Sequence, residues 1–260
     1  MIIQIYEIQH PHEAIQVTAL GVTHVGTVLQ TPSDIGNTDI QETILAAKRS
    51  GGVSSVIPLF TNEADICRAV ESLTFDILHL CDELLDASGN PIDPDPWVAL
   101  QRRIRDRYPG LRIARSIPVP VEGSEQDHRK LIQLAGTFQD VSDCLLLDTW
   151  IPPSLGHQPV QGYVGITGKP CDWKLSRAIV QSVDIPVMLA GGLGPDNVAE
   201  AIRQVQPAGV DSCTRTNASD ASGKPIRFRK DLTKVEAFVQ HAKRAFAQFS
   251  KGAEEHVRQQ

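Results

Sequence analysis

Short runs of aliphatic and β-branched residues alternate along this chain with longer segments whose apolar side chains recur every three or four positions. Residues 2–8 form the first run and predict a strand. Over residues 11–20, Ala14, Val17 and Leu20 share one helical face, and Gly21 ends the helix where a left-handed residue is needed. The exchange then repeats. Strands are predicted over 24–29, 53–58, 75–80, 111–117, 144–148, 185–190 and 208–213. Helices are predicted over 39–49, 62–72, 95–107, 124–138, 172–181, 195–205 and 232–249.

Eight strand–helix units in strict alternation predict a parallel sheet covered by helices. Right-handed crossovers taken in sequence either close a barrel or wind an open sheet. A doubly wound sheet, the alternative, has fewer units and a glycine-rich first turn, and the run Glu7-Ile8-Gln9-His10 holds no glycine. The count matches the α/β class and a single (β/α)8 TIM barrel over residues 1–250, with a polar tail over 251–260. Three segments exceed a minimal barrel: 84–94, 149–169 and 214–231. Loops after strands lie on the catalytic face, so all three crowd one end.

Composition narrows the class. With 260 residues, 41% hydrophobic and 22% charged, the chain is not disordered. No run approaches the roughly 18 apolar residues of a transmembrane helix, and the N-terminus lacks a secretory-signal pattern. A net charge of −6 argues against a nucleic-acid platform. Cys67, Cys81, Cys144, Cys171 and Cys213 form no C-x-x-C pair and read as reduced thiols in a cytoplasmic protein. No metal is expected: His10 and His12 flank a proline and do not share a helical face. The basic run over 102–107 reads as a solvated helix face. Oligomeric state leaves no mark in the sequence.

Three stretches carry candidate chemistry. In residues 186–197, an apolar strand enters the turn Gly191-Gly192, and Pro195 suits a first helical turn. Free amides in such a turn attract phosphate, at the usual phosphate position of a barrel; a tight turn without ligand is the alternative. In residues 144–149, Asp148 ends a strongly apolar strand and points at the mouth, where burial makes a carboxyl a general acid. In residues 165–173, Thr167 and Gly168 belong to a lid-like loop that runs into a helix capped by Asp172. His79 and Cys81 alternate on the fourth strand and both reach the mouth; simple packing is the alternative for each.

Taken in order, Leu-Leu-Leu-Asp148-Thr, Gly165-x-Thr-Gly-Lys-x-x-Asp-Trp, Leu-Ala-Gly191-Gly192-Leu-x-Pro-x-Asn-Val and Gly-Val-Asp211 resemble the phosphoribosylanthranilate isomerase family of tryptophan biosynthesis. The resemblance is strongest over 144–211, and the run Asp76 to Glu83 is collinear with it. It implies an aldose–ketose isomerase, an intramolecular oxidoreductase working by an Amadori rearrangement without cofactor or metal. The implied partner is a small phosphorylated sugar, not nucleic acid or membrane. Asp148 takes the place of the family's acid, and Gly191 and Gly192 that of its phosphate turn, with Asp211, Thr167 and Gly168 alongside.

Departures concentrate at the N-terminus. The family opens with Lys-x-Cys-Gly-Ile, whose Cys is the base; here Gln4 and Tyr6 stand at those two positions. A phenol is a poor base at neutral pH. Glu7 serves as base only if the strand has ended before it, and His79 is the other candidate. The Arg that holds the anthranilate carboxylate is absent from residues 31–36, and Arg115 is the candidate cation in its stead. Cys213-Thr214-Arg215 replaces a Ser-Ser-Gly turn, with Arg215 able to bind phosphate by charge. The larger ring at position 6 and the absent Arg predict weak turnover of phosphoribosylanthranilate. Two alternatives stay open: a barrel enzyme on another phosphosugar, and a non-catalytic phosphoryl-binding barrel.

Overall fold

The computed structural model describes residues 1–124 and 126–258. Eight parallel strands close a barrel in sequence order: β1 (Ile2–Ile5), β2 (His24–Leu29), β3 (Val53–Pro58), β4 (Ile77–Leu80), β5 (Arg112–Pro120), β6 (Cys144–Trp150), β7 (Val187–Leu189) and β8 (Gly209–Ser212). Closure comes from β1 on β8, which sets Gln4 opposite Asp211. Around it lie α1 (Pro11–Ala19), α2 (Thr38–Arg49), α3 (Glu63–Ser72), α4 (Asp95–Arg107), α5 (His128–Gln139), α6 (Trp173–Ser182), α7 (Val198–Val205) and α8 (Leu232–Arg258).

Strand alternation divides the residues into two layers. Outward side chains such as Ile3, Ile5, Leu145, Leu147 and Val210 pack under Val17, Phe138, Ile179, Ile202 and Phe238 of the helices. Inward ones include Ile77, Ala114, Cys144, Leu146 and Met188. The inward parity of β6 ends at Asp148, which is why an acidic residue follows so apolar a run. Helix starts are chemically marked: Asn37, Asn62, Asp127 and Asp172 each accept a backbone N–H of the first turn. Asp172 is thus the cap expected of it, accepting from Leu175 at 2.9 Å.

Several boundaries differ from the expected ones. Strand β1 stops at Ile5, three residues early, because Glu7 takes a left-handed φ of 63°. Helix α5 starts at His128, since Ser124 closes a turn onto Val121 instead. Helix α7 starts at Val198, after a turn in which Asn197 accepts the Gly194 N–H at 2.8 Å. Within the enlarged loop after β8, β9 (Asn217–Ser219) and β10 (Pro225–Lys230) form an unexpected antiparallel hairpin. Helix α8 runs on to Arg258, into the segment read as a polar tail. Ala253, Glu254, Glu255 and Arg258 in that segment are residue types of high helix propensity. No helix among the described residues is long and apolar enough to cross a membrane.

Candidate active site

Two adjoining cavities open at the C-terminal end of the barrel. The first is apolar: Val28, Ile57, Leu59, Leu146 and Tyr163 wall it, above Tyr6, His79 and Ser116. It spans about 550 Å³ counted to its open mouth. The second, about 270 Å³, is polar and lined by Thr167, Gly168, Gly191, Gly192 and Thr214. Asp148, Ile166, Asp211 and Cys213 line both and form the seam between them.

Glycine makes the polar cavity possible. Gly191 and Gly192 have φ of 77° and 55°, and a Cβ on Gly192 would meet the backbone of Gly168 and Lys169. Thr149 ties the facing loop down by donating to the Lys169 carbonyl at 2.6 Å. Arg215 does not line this cavity. Its guanidinium donates to Asp196 at 2.6 Å and to the Gly192 carbonyl at 3.3 Å, so it braces the turn from behind.

At the seam, Asp148 accepts the Thr149 N–H at 2.7 Å and a second backbone N–H, from Gly191. Burial nevertheless pushes its pKa up to about 6. Asp211 is buried beside it and accepts the Gln4 amide at 3.1 Å. Burial and the charge of Asp148 push Asp211 up to about 8, against the opposing pull of the Gln4 hydrogen bond and Lys230.

Under the apolar cavity runs a hydrogen-bonded chain. The Tyr6 hydroxyl lies 2.6 Å from Ser55 Oγ and 2.7 Å from His79 Nδ1, and His79 Nε2 lies 2.8 Å from Ser116 Oγ. Burial, with the charge of Arg115, lowers His79 to about 3, so the ring is neutral and both nitrogens are engaged. Burial drives the Tyr6 phenol well above its ordinary value. The Tyr6 ring fits because β2 presents Gly26, where any Cβ would meet it.

Glu7 does reach the cavity, as the early end of β1 allows, but its carboxylate is committed. Arg227 donates to it at 2.6 Å and Asn217 at 3.2 Å. Burial works to raise its pKa; the charges of Lys230 and Arg227 and these hydrogen bonds outweigh it and hold Glu7 low. Arg115, expected as the cation of the site, does not line the cavity. It has the outward parity of Ile113 and Ile117, pairs with Asp82 at 2.8 Å, and lies over the Phe138 ring at 4.9 Å, away from the cavity.

The sequence reading passed over Gln4 as a partner of Asp211, and Asp82 as the partner of Arg115. It also missed the stitching of the lid. Val164 donates to the Cys81 carbonyl at 2.9 Å, Glu83 to Gly162 at 2.8 Å, and the Trp150 indole to Glu83 at 2.8 Å. Among the described residues no group of three or more His, Cys, Asp or Glu is placed to hold a metal.

The sequence profile of the N-(5'phosphoribosyl)anthranilate (PRA) isomerase family matches residues 110–241, half of the chain. The chain belongs to the phosphoribosylanthranilate isomerase family. An isomerase of that name from Methanocella arvoryzae is 37% identical over 142 residues, 55% of each chain, so this match spans about half of that relative. One from Synechococcus sp. is 29% identical over 243 residues, 90% of this chain and 93% of the relative. The crystal structure of phosphoribosyl anthranilate isomerase from Thermotoga maritima superposes with a TM-score of 0.65 at 20% identity, covering 94% of this chain and 99% of that one. That likeness shows the (β/α)8 fold shared with the phosphoribosylanthranilate isomerase family.

Proposed function

We propose that this chain is a cytoplasmic aldose–ketose isomerase that converts N-(5′-phosphoribosyl)anthranilate to its 1-deoxyketose by an Amadori rearrangement. The reading rests on the family and on one observation: two carboxyls stand at the seam between an apolar cavity and a glycine-lined polar one. A substrate with an aromatic amine at one end and a phosphate at the other lies across that seam. Its ring oxygen, C1 and C2 then come over Asp148 and Asp211. Gly191, Gly192, Thr167 and Gly168 surround the phosphate, and the chemistry calls for no cofactor.

A second reading has its own observation. No Lys or Arg lines the apolar cavity among the described residues, and the Tyr6 ring narrows it. Such a cavity favours an aglycone smaller than anthranilate and without its carboxylate. Expression in a tryptophan auxotroph separates the two. Growth supports phosphoribosylanthranilate as substrate. Failure to grow, together with thermal stabilisation of the pure protein by a phosphosugar, points to the second reading. In the direct assay, which follows anthranilate fluorescence, Asp148→Asn is expected to lower turnover by about 10²- to 10⁴-fold and to leave that stabilisation in place. Near-normal turnover in the Asn variant would make the carboxyl structural.

A further inference from the structure

The rearrangement needs two proton transfers, and the position of the family's base holds Tyr6. The phenol is locked between Ser55 and His79, and burial makes it harder to ionise. Glu7 is held by Arg227 and Asn217. His79 has both nitrogens engaged. Burial drives the thiols of Cys81 and Cys213 upward, away from the thiolate. What remains at the seam is Asp148 and Asp211.

These two carboxyls are held differently. Two backbone N–H groups, from Thr149 and Gly191, point at Asp148 and favour its charged form. Asp211 receives one neutral amide, from Gln4, whose Oε1 has no partner among the described residues. The related motif has Lys where this chain has Gln4. An ammonium there, in register with Asp211 across the β1–β8 seam, would hold Asp211 ionised. The exchange that removes the thiol at position 6 is thus matched by one that frees a carboxyl to carry a proton.

Resting on the isomerase reading, we propose that Asp211 is the general acid of this chain and that Asp148, its neighbour at the seam, is the base that takes the C2 proton. The roles invert the expectation that Asp148 is the acid. Because burial raises both groups, the pair holds one proton between about pH 6 and about pH 8. The backbone donors on Asp148 leave that proton on Asp211. The groups acting on Asp211 are Gln4 on β1, Tyr6 just after it, Asp148 on β6, Lys230 on β10 and Cys213 just after its own strand. Of these, Lys230 is drawn off by Asn217 at 2.5 Å and the Cys213 carbonyl at 3.0 Å.

The steps balance. Asp211 gives its proton to the ring oxygen, the C1–O bond breaks, and the nitrogen lone pair forms the C1=N iminium. Asp148 carboxylate removes the C2 proton; the C2–H electrons form C1=C2, and the iminium π pair returns to nitrogen. The enolamine loses its O2 proton and gains one at C1, giving the ketone. The pair begins with one proton on Asp211 and ends with one on Asp148, and passing it back resets the site.

The full chain is assayed with phosphoribosylanthranilate deuterated at C2. Wild-type kcat/KM is expected to rise through about pH 6 as Asp148 ionises and to fall through about pH 8 as Asp211 does. Asp211→Asn makes ring opening limiting: kcat drops about 10²- to 10⁴-fold and the isotope effect shrinks toward unity. Asp148→Asn makes proton removal limiting, so its isotope effect exceeds that of wild type. Isotope effects in the opposite order, or an Asp211→Asn variant with wild-type turnover, overturn the assignment. Gln4, a positioning residue, is tested by Gln4→Lys, which should move the falling limb to lower pH while the reduced product analogue, reduced 1-(o-carboxyphenylamino)-1-deoxyribulose 5-phosphate, still binds; an unmoved limb overturns its role. Failure of the isomerase reading looks different: wild type binds that analogue without turning substrate over. Carbon-13 titration of the aspartates then decides, and an Asp211 that ionises in the ordinary carboxylate range overturns the pair.

Discussion

Tyr6 shows how one side chain can reshape a site without doing its chemistry. The ring lies against Gly26 on β2, and its hydroxyl joins Ser55 to His79. All four members of the chain Ser55, Tyr6, His79 and Ser116 are buried, so each hydrogen bond matters more for being irreplaceable by water. Tyr6→Phe keeps the ring and strands Ser55 Oγ and His79 Nδ1. It is expected to destabilise the protein by about 1–3 kcal/mol, read as a lower midpoint in urea unfolding. A midpoint equal to wild type would mean that the hydroxyl finds no net gain there. Tyr6→Cys removes the ring as well and opens the apolar cavity toward anthranilate. It should lower KM for phosphoribosylanthranilate more than it raises kcat, because the ring obstructs binding while the proton transfers belong to other residues; the missing carboxylate clamp limits the gain.

At the scale of elements, the loop between β6 and α6 is the part that closes the site. Gly165, at φ 108°, sits where only glycine is comfortable, and a Cβ there would run into the Asp148 carboxylate. Gly165→Ala is therefore expected to cut turnover and to lower the melting temperature as well, since Val164 beside it is part of the core. Turnover equal to wild type would mean that this loop does not rest on Asp148 during catalysis. The eight-unit barrel was legible in the chain because the apolar period switches from two to about 3.6 at each strand–helix junction; that pattern also set Asp148 and the glycine turn at the barrel mouth, whereas Asp211 entered only through the resemblance to the family motif. The β9–β10 hairpin was not. Asn217–Ser219 is three residues long without an apolar alternation, and the pairing with Pro225–Lys230 is irregular. Nor were pairings that depend on closure. Gln4 meets Asp211 across 207 positions, and Arg227 meets Glu7 across 220. The exit of Glu7 from β1 depends on one left-handed residue that no period announces. Arg115 misled because its distance along β5 was read without its parity.

Over the whole molecule, buried titratable groups pull the pH dependence of stability in opposite directions. Burial lowers His79 to about 3 and His24 to about 4, with Arg115 and Arg112 adding to it. The unfolded chain takes those protons near pH 6.5, so the folded state loses stability as pH falls below that value. The carboxyl pair runs the other way. Folded values of about 6 and about 8 lie above the ordinary carboxylate range, so the stability the pair contributes is full below about pH 4 and is lost as pH rises through both values. From about pH 4 to 6 the two slopes oppose each other. Above 6.5 the histidines are neutral in both states, and the slope belongs chiefly to Asp211. Stability should therefore decline from pH 6.5 to 8, at up to about 1.4 kcal/mol per pH unit. Asp211→Asn keeps an oxygen to accept from Gln4 but has no charge to bury. It should lose that decline and overtake wild type at pH 8, while losing turnover, which is the exchange of stability for activity expected of a buried working carboxyl. Denaturant unfolding at pH 6.5, 7.5 and 8.5 measures it. If wild type and the Asn variant trace the same profile, Asp211 is ionised in the folded chain throughout that range, and it has no proton to give to the ring oxygen.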